Sequence, residues 1–498
     1  MPPKRRYLVM DKDDLVWQKL DEAVDEWDIS IRTNEMYRAV AKLILKYKEG
    51  QAELMHSAVR GGYNVVYRLE YKDGSSVVMR IPIKGIVPFP DEKVRYEVAT
   101  MRYVAASTTI PVPHVYHYGT AAENPLGLGP FIIMDYIEHH QNMSRELLDP
   151  KRPANERPVL DPDIGEEKLE FLYSQVANIL LQLSSLKFPR IGSLIENEDG
   201  ISTSVEGRPL IMNMIDLVVH TNAPASTLPS QTQTYASADE WYRALADMHM
   251  TQLAFQHNDA VEDEADARDK YVARQLFRKL AAEGRLVSEP EESNGGFALF
   301  SEDFRPANML LDEDLRVVGV IDWEFAYAAP AQFSSDPPWW LLLEEPESWT
   351  GGHPVWMEAY EPRLRTFLRV LEAEEKKMAA ADIAEKVGRV SLADDGGKTE
   401  VPPLSRRMRE SWEKRTWMRN YAARKSWAFD CIWWKFLDES YFGPNENQDC
   451  QARLELLPES QREAVEAFVA CKMEERRNPG IVEWGDKLAA DRLAELLV

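Results

Sequence analysis

Apolar residues near the start of the chain recur at the spacing of a helix. They stand three or four residues apart in two groups, Val16, Leu20, Ala23, Val24 and Trp27, and then Met36, Val40, Leu43, Ile44 and Tyr47. One face of an amphipathic helix repeats at this period. The pattern predicts a helical N-terminal extension over residues 1–55.

The period changes to that of strands at Val59. The segment VRGGYNVVYRLEYKDGSSVVMRIPIKG has apolar runs on either side of a Gly-Gly pair and an Asp-Gly pair. Such pairs are typical of the turns that join antiparallel strands. A helical pattern, VRYEVATMRYVAA, and a further apolar run, FIIMDYIEHH, come next. We therefore predict a mostly β unit over residues 56–138.

The rest of the chain has mainly helical patterns. The run FLYSQVANILLQLSSL at 171–186 is strongly apolar, and a long helical pattern covers 241–280. The turn-rich segment 390–404 is the best candidate for a linker, and helical patterns resume after it. These patterns predict a mainly helical unit over 139–390, followed over 391–498 by the linker and a helical C-terminal region.

Composition and charge narrow the class of protein. Hydrophobic residues make up 44% of the 498 residues, which favours a packed globular protein. The formal net charge of −24 disfavours nonspecific binding to nucleic acid or to an anionic membrane, because such binding depends on Lys and Arg. The basic, aromatic segment 406–436 is open to two interpretations, a partner-binding surface or part of the core.

The N-terminus predicts neither secretion nor membrane insertion. Its apolar run is too short for the core of a signal peptide, and no stretch approaches the length of a membrane span. We therefore expect a cytoplasmic location.

The chemistry is concentrated in one stretch, FALFSEDFRPANMLLDEDLRVVGVIDWEFAYAAP, residues 297–330. A strand pattern leads to a polar loop, a hairpin pattern follows, and the hairpin ends at Asp322. Phosphoryl transfer needs a carboxylate beside the acceptor hydroxyl and oxygen ligands for Mg²⁺. Asp303 is the candidate base, with Asn308 and Asp322 as metal ligands, since D-x-x-x-x-N is the spacing of the kinase catalytic loop. The alternative is that these residues have no catalytic role: Asp and Asn are common in turns, and Asp322 simply ends a strand.

This stretch resembles the aminoglycoside phosphotransferase and choline kinase-like family, whose pattern is H-G-D-x-x-x-x-N followed by I-D-W. The resemblance covers about residues 55–345 and implies an α+β, protein-kinase-like two-lobed fold. Its small lobe would be mostly β, its large lobe mostly helical, with helical additions at both ends. Two positions depart from the pattern: Ser301 and Glu302 replace the family His-Gly, which leaves open whether activity is reduced or lost. By the same resemblance, Asp336 would brace the catalytic loop from behind.

The resemblance also implies a nucleotide site. Gly61 and Gly62 would form a turn over the phosphates, although an ordinary hairpin also fits them. Arg80 would contact the phosphates, with Glu97 as its ion-pair partner. The alternative without a functional role is that Arg80 faces solvent and Glu97 is a surface charge. The hinge would follow, with the backbone near Asp135 and Ile137 binding adenine and Met134 lining its pocket.

The function predicted from these residues is ATP-dependent transfer of the γ-phosphoryl group to a hydroxyl of a small molecule, with Mg²⁺ as cofactor. The alternative is a noncatalytic, kinase-like nucleotide-binding or interaction protein. Neither the acceptor nor the oligomeric state follows from the sequence. No nucleic-acid or membrane partner is expected.

Overall fold

The computed structural model describes residues 8–153, 155–198, 200, 202–287, 296–388 and 401–497, without the side chains of 382–388. Most of the linker predicted at 390–404 lies outside these residues. Among the described residues, no helix has both the length and the apolar character that crossing a membrane requires.

Two capped helices form the N-terminal extension, α1 (Asp14–Ile31) and α2 (Asn34–Tyr47). The Asp13 carboxylate accepts the Val16 N–H at 3.1 Å at the start of α1, and the Thr33 hydroxyl caps α2 in the same way. Their apolar stripes pack on the sheet that follows in the chain. The helical pattern is confirmed with one correction: residues 52–55, which we assigned to the helical extension, form a strand, because Gly50 ends the helical pattern.

The small lobe is an antiparallel sheet with one helix. Its elements are β1 (Ala52–Met55), β2 (Val59–Arg60), β3 (Asn64–Tyr71), β4 (Ser76–Pro82), α3 (Pro90–Ser107), β5 (Val115–Gly119) and β6 (Phe131–Asp135). The strands follow the order β1-β3-β4-β6-β5, and β2 also pairs with β3. This confirms the strand, Gly-Gly turn, strand, Asp-Gly turn, strand prediction for 59–82. In the register, Arg80 lies opposite Val66 on one side and Ile132 on the other.

The large lobe is mostly helical. Its helices as far as the gap at 389–400 are α4 (Met143–Leu147), α5 (Glu166–Ser185), α6 (Met212–Thr221), α7 (Ala238–Phe255), α8 (Glu264–Ala282), α9 (Ala331–Ser334) and α10 (Gly352–Gly388). The C-terminal helices are α11 (Leu404–Glu413), α12 (Thr416–Arg424), α13 (Phe429–Ile432), α14 (Asp438–Phe442), α15 (Glu459–Arg477) and α16 (Asp486–Leu496). They share one hydrophobic core with the rest of the large lobe. Many aromatic residues of segment 406–436, among them Trp417, Trp433 and Trp434, are therefore core residues.

Short strands carry the predicted catalytic stretch. The large lobe contains β7 (Gln141–Asn142), β8 (Lys187–Phe188), β9 (Ser193–Glu196), β10 (Thr203–Gly207), β11 (Phe297–Ser301), β12 (Met309–Leu311), β13 (Val317–Val320) and β14 (Ala326–Pro330). β11 pairs with β14, and between them β12 pairs with β13. The predicted hairpin is confirmed. The β12–β13 hairpin lies between β11 and β14 in the chain. The loop after β11 and the residues after β13 are therefore close together.

Candidate active site

The side chain of Asp303 is held at both carboxylate oxygens. Oδ2 accepts a hydrogen bond from Asn308 Nδ2 at 3.0 Å, and the same amide also donates to the Asp303 carbonyl at 2.8 Å. Oδ1 lies 2.8 Å from Arg305 Nε. Burial raises the pKa of Asp303 to about 6, against the opposing effects of Arg305 and Asn308. A carboxylate with a pKa near the working pH is well suited to accept a proton.

Asn308 and Asp322 present oxygen atoms near this carboxylate. Since Nδ2 of Asn308 is engaged with Asp303, Oδ1 is the atom left to bind a cation, and no donor from the described residues reaches it. Asp322 has φ 61°, in the left-handed region, and so turns away from the path of β13. Burial raises its pKa, which the neighbouring Arg80 opposes.

Arg80 joins the two lobes at the centre of the site. Only 4% of its surface is exposed, so the solvent-facing alternative for this residue is excluded. Its Nη2 forms an ion pair with the Glu97 carboxylate, and its Nη1 lies 2.5 Å from Asp322 Oδ1. Burial disfavours the charged guanidinium, yet the carboxylates of Glu97, Asp322 and Glu324 raise the pKa of Arg80 above its usual value.

A second buried cation, Lys93, was missed in the sequence. It is completely buried in the first turns of α3, where its ammonium pairs with Glu324 and donates to Asn64 Oδ1 at 2.7 Å. Asn64 Nδ2 in turn donates to Glu324 Oε2 at 2.8 Å. Lys93 precedes Glu97 by four residues, so both lie on one face of the helix, and this spacing was the only signal in the sequence.

The buried network has more carboxylates than cations. Arg80 and Lys93 face Glu97, Asp322 and Glu324. Burial raises the pKa of Glu97, whereas in Glu324 the effect of burial is outweighed by Lys93 and Arg80, which lower its pKa. An excess of buried negative charge beside oxygen ligands is the environment that a divalent cation stabilises.

The donor set fits Mg²⁺ bound together with phosphates. Among the described residues, no group of three or more His, Cys, Asp or Glu side chains forms a metal site. Mg²⁺ in phosphoryl-transfer sites commonly has one or two carboxylate ligands, with phosphate oxygens and water completing the shell. Asn308 Oδ1 and the Asp322 carboxylate are sufficient for such a site.

The turn of Gly61 and Gly62 joins β2 and β3. Gly61 N–H donates to the Asn64 carbonyl at 2.8 Å, and a Cβ added to Gly62 would meet no atom within 4 Å. The next residue, Tyr63, packs its ring edge-on against Phe325, with the ring centroids 5.1 Å apart. The open side of the turn therefore stays accessible while its base is fixed to the hairpin that carries Asp322.

The predicted hinge follows β6. Met134 is buried, and the Asp135 side chain accepts a hydrogen bond from Tyr116 Oη at 2.6 Å. Within the described chain, Ile137 N–H has no acceptor, which leaves it available to a ligand. The Ile137 side chain lies against Gly319, where an added Cβ would come within 2.5 Å of Ile137 Cδ1. Glycine at 319 thus lets Ile137 pack closely against the hairpin of β12 and β13.

Glu302, which replaces the family glycine, anchors the loop to α6. Its Oε2 accepts the Met212 N–H at 2.8 Å, at the first residue of that helix. Burial raises the pKa of Glu302 to about 7. Ser301 remains paired with Ala326 as the last residue of β11. The departure from the family pattern therefore gives the loop a fixed contact with a neighbouring helix.

Asp336 does not contact the catalytic loop through a hydrogen bond. Its Oδ1 accepts from Ser411 at 2.8 Å and from Asn420 at 2.9 Å, both in the C-terminal helices. The interpretation of Asp336 as a brace of the loop is wrong in this respect, because α11 and α12 occupy the space on that side.

Asp303 is bonded to Asn308, and Arg80 is paired with Glu97 and Asp322. The backbone joins the two groups, since Ile321 N–H, next to Asp322, donates to the Asn308 carbonyl at 3.0 Å. From the small lobe, Tyr63 beside the glycine turn contacts Phe325, and Ile137 after β6 contacts Gly319 of β13. The two lobes and the network between them define a kinase-like fold.

Part of the chain matches the model of a known family. Residues 175–334 match the model described as the phosphotransferase enzyme family. The resemblance drawn from the motifs is thereby confirmed, and the kinase-like α+β fold agrees with it. The family and the fold support kinase-like phosphotransfer in general.

Three similar proteins illustrate the relationship. A subtelomeric hrmA-associated cluster protein of Aspergillus fumigatus is 30% identical over 141 residues, 28% of this chain and 24% of its own length. Altered inheritance of mitochondria protein 9 of Yarrowia lipolytica is 26% identical over 311 residues, 56% of this chain and 50% of its own. An aminoglycoside phosphotransferase, solved with AMP-PNP and hygromycin B, has 14% identity and a TM-score of 0.39, covering 86% of this chain and 97% of its own.

These relatives correct the expected location. The chain spans about a quarter to a half of the length of the two curated relatives it matches. The Yarrowia relative is named as a mitochondrial protein, as are similar proteins of Debaryomyces hansenii and Zygosaccharomyces rouxii. The cytoplasmic location expected from the sequence is contradicted by these names.

Proposed function

We propose that this protein is a small-molecule kinase that transfers the γ-phosphoryl group of ATP to a hydroxyl. The proposal includes the division into an N-terminal extension, a small lobe ending at 138, a large lobe (139–390) and a C-terminal region (391–498), with the first boundary moved from 55 to 51 because residues 52–55 form β1. The observation that carries it is the environment of Asp303. This carboxylate is held by Asn308 at 3.0 Å, and burial brings its pKa to about 6.

Asp303 is the proposed base. It accepts the proton of the acceptor hydroxyl while the acceptor oxygen forms its bond to the γ-phosphorus and the bond from that phosphorus to the β,γ-bridging oxygen breaks. ADP is the leaving group. The Asn308 amide holds Asp303 in place, and Glu302 fixes the loop to α6 through Met212.

The proposed nucleotide site uses residues of both lobes. Asn308 and Asp322 would hold Mg²⁺, which when bound neutralises charge on the phosphate oxygens. Arg80, oriented by Glu97, would contact the phosphates under the turn of Gly61 and Gly62. The backbone at Asp135 and Ile137 would bind adenine, with Met134 at the wall of its pocket. The aminoglycoside phosphotransferase solved with AMP-PNP supports the choice of an adenine nucleotide.

The test is turnover of Mg-ATP with a panel of hydroxylated amines and sugars as acceptors. We expect ADP release that depends on one class of acceptor and is abolished in Asp303→Asn. Asp314→Asn is the matched control, because Asp314 is an exposed carboxylate in the turn of the same hairpin. It is expected to keep full activity.

A noncatalytic nucleotide-binding protein is the second candidate. One contact favours it: Arg305 lies 2.8 Å from Asp303 Oδ1, where an acceptor hydroxyl has to approach. Nucleotide binding measured by calorimetry, without turnover on any acceptor, would establish this candidate and exclude the kinase. Turnover that survives in Asp303→Asn would exclude Asp303 as the base.

A further inference from the structure

Helix α1 of the N-terminal extension contacts both lobes. In its C-terminal half, Val24 and Ile31 are buried in the hydrophobic cluster that α1 and α2 form with β3 and β4 of the small lobe. Just before its first residue, Met10 is buried in the core of the large lobe. Leu20 lies between them and packs against both clusters. The 18 residues of α1 extend about 27 Å at the usual rise of a helix, so α1 spans the boundary between the lobes.

The N-terminal end of α1 is attached to the large lobe by a buried carboxylate. The side chain of Asp13 is completely buried, and it accepts hydrogen bonds from the Asn258 N–H at 3.0 Å and from Asn258 Nδ2 at 2.9 Å. Asn258 is held in turn by Gly480, whose N–H and carbonyl both bond to its amide, at 3.0 and 2.9 Å. Gln256 Nε2 donates to the Asp11 carbonyl at 2.8 Å. Hydrogen bonds therefore hold the residues before α1 in one position on the large lobe.

The C-terminal half of α1 is attached to the strands on either side of the glycine turn. The Asp25 carboxylate lies 2.8 Å from Nη1 of Arg60, the last residue of β2, which directly precedes Gly61. On β3, Tyr67 Oη donates to the Ile31 carbonyl at 2.9 Å. A displacement of α1 is therefore transmitted to both strands that carry the turn.

Between these two attachments, α1 lies against α6. The ring of Trp17 packs on that of His220, with the ring centroids 5.0 Å apart. The same helix begins at Met212, whose N–H is bonded to Glu302 of the catalytic loop. Helix α1 is thus connected to the catalytic loop through α6 and to the glycine turn through β2 and β3.

We propose that α1, together with residues 10–13, is a strap that restrains the separation of the two lobes and has to detach at Asp13 before they open. A helix attached to both lobes resists their separation. Detachment is expected at the Asp13 end, since hydrogen bonds and Met10 hold it there, whereas the other end is part of the small-lobe core. Opening of the lobes commonly limits the entry and release of nucleotide in enzymes with two lobes. This consequence for nucleotide exchange rests on the proposed function, whereas the link between the lobes does not.

Hydrogen exchange in the full chain without nucleotide tests the link. Asp13→Ala removes the attachment, and we expect residues 59–66, which contain the glycine turn, to exchange at least tenfold faster while α5 of the large lobe exchanges as in the wild type. Thr33→Ala is the matched control, because it removes the capping hydroxyl of α2 in the same extension. It should change exchange in 59–66 by less than twofold. Equal acceleration in α5 would show a general loss of stability and overturn the strap, as would equal acceleration by Thr33→Ala.

Arg60→Met tests the second attachment without endangering the fold, because an ion pair at a partly exposed position contributes little to stability. It should accelerate exchange in 59–66 at least threefold while α6 is unchanged. Unchanged exchange of 59–66 in both Arg60→Met and Asp13→Ala would overturn the strap.

Release of Mg-ADP tests the consequence for nucleotide exchange. With a fluorescent ADP analogue in stopped flow, we expect release at least fivefold faster from Asp13→Ala than from Thr33→Ala. Equal release rates would overturn the role of the strap in exchange. Absence of Mg-ADP binding to the wild type would overturn both that role and the proposed nucleotide site, and hydrogen exchange would still decide whether α1 restrains the lobes.

Discussion

Arg80 and Asp322 form an ion pair across the two lobes, with Nη1 and Oδ1 2.5 Å apart. In the proposed nucleotide site, the first of these residues contacts phosphate and the second binds Mg²⁺. The pair therefore links the proposed phosphate-binding residue to the proposed Mg²⁺ ligand before any nucleotide is bound. It also fixes the position of one lobe relative to the other. Entry of a nucleotide with its metal has to exchange this contact for contacts with phosphate and Mg²⁺.

Replacement of Arg80 by Met is expected to weaken both the fold and nucleotide binding. Glu97 would be left as a buried carboxylate without its ion-pair partner, and loss of one member of a buried pair costs about 3–5 kcal/mol. We expect the free energy of unfolding in urea to fall by about this amount, and the affinity for Mg-ADP to fall at least tenfold. Arg80→Lys keeps the charge and should lose less of both.

The control for Arg80→Met is Arg38→Met, which removes an exposed arginine from α2. It should leave unfolding and Mg-ADP affinity within error of the wild type. Wild-type affinity in Arg80→Met would contradict the role of Arg80 in phosphate binding, whatever its effect on stability.

The rate of phosphoryl transfer is expected to rise with pH through the pKa of Asp303. The base acts in its ionised form, and its pKa in the free protein is about 6. With an acceptor identified, kcat/KM should increase about tenfold per pH unit below 6 and level off above it. Glu302 also titrates nearby, so the profile of Glu302→Gln is the control and should keep the same midpoint. A profile that is flat from pH 5 to 8 would contradict the assignment.

Glu302 is expected to make the fold less stable as pH rises. Its pKa is about 7 in the folded protein and near 4.5 in the unfolded chain, so between these values the folded state binds more protons. Ionisation then favours the unfolded state, and each pKa unit of difference is about 1.4 kcal/mol. Relative to the wild type, Glu302→Gln should gain stability as pH rises from about 4.5 to 7, and then no further.

Urea unfolding at pH 5 and pH 7.5 measures this gain. Glutamine keeps an acceptor for the Met212 N–H, so the comparison isolates the charge. Exposed Glu313 provides the control, since Glu313→Gln should show no such dependence on pH. A difference between Glu302→Gln and the wild type that is the same at both pH values would contradict the raised pKa.

The parts of the site that were predictable from the sequence are those set by local spacing. Asp303 and Asn308 lie five residues apart in one loop, and a single hairpin brings Asp322 to them, so their proximity followed from the pattern. Arg80 and Glu97 were found through their order along the chain. The hydrogen bond between Glu324 and Asn64 could not be predicted in this way, because the two residues are 260 positions apart in the chain.

Contacts between lobes depend on how two independently patterned surfaces meet. The burial of Lys93 could not be predicted, because a lysine in an amphipathic helix is normally exposed. It is buried where the small lobe packs against the large lobe. The link from Glu302 to Met212 depends on the position of α6, for which the loop sequence carries no signal. Asp336 was misread for a similar reason, since its partners Ser411 and Asn420 come from the C-terminal helices.

The buried contact between Lys93 and Glu324 is expected to hold the lobes together. Lys93→Met leaves the Glu324 carboxylate buried with only Asn64 and the more distant Arg80, so it should lower the free energy of unfolding by about 3–5 kcal/mol. Glu324→Gln in the same chain removes the unpaired charge and should restore part of that loss. Lys84→Met, at an exposed lysine of the small lobe, is the control and should change stability by less than about 0.5 kcal/mol. Hydrogen exchange of β3 and of the 321–325 segment gives a second measurement: both should exchange faster in Lys93→Met if the lobes separate. Additive losses in the double variant would show that the two side chains do not interact, and the proposed link between the lobes would then be wrong.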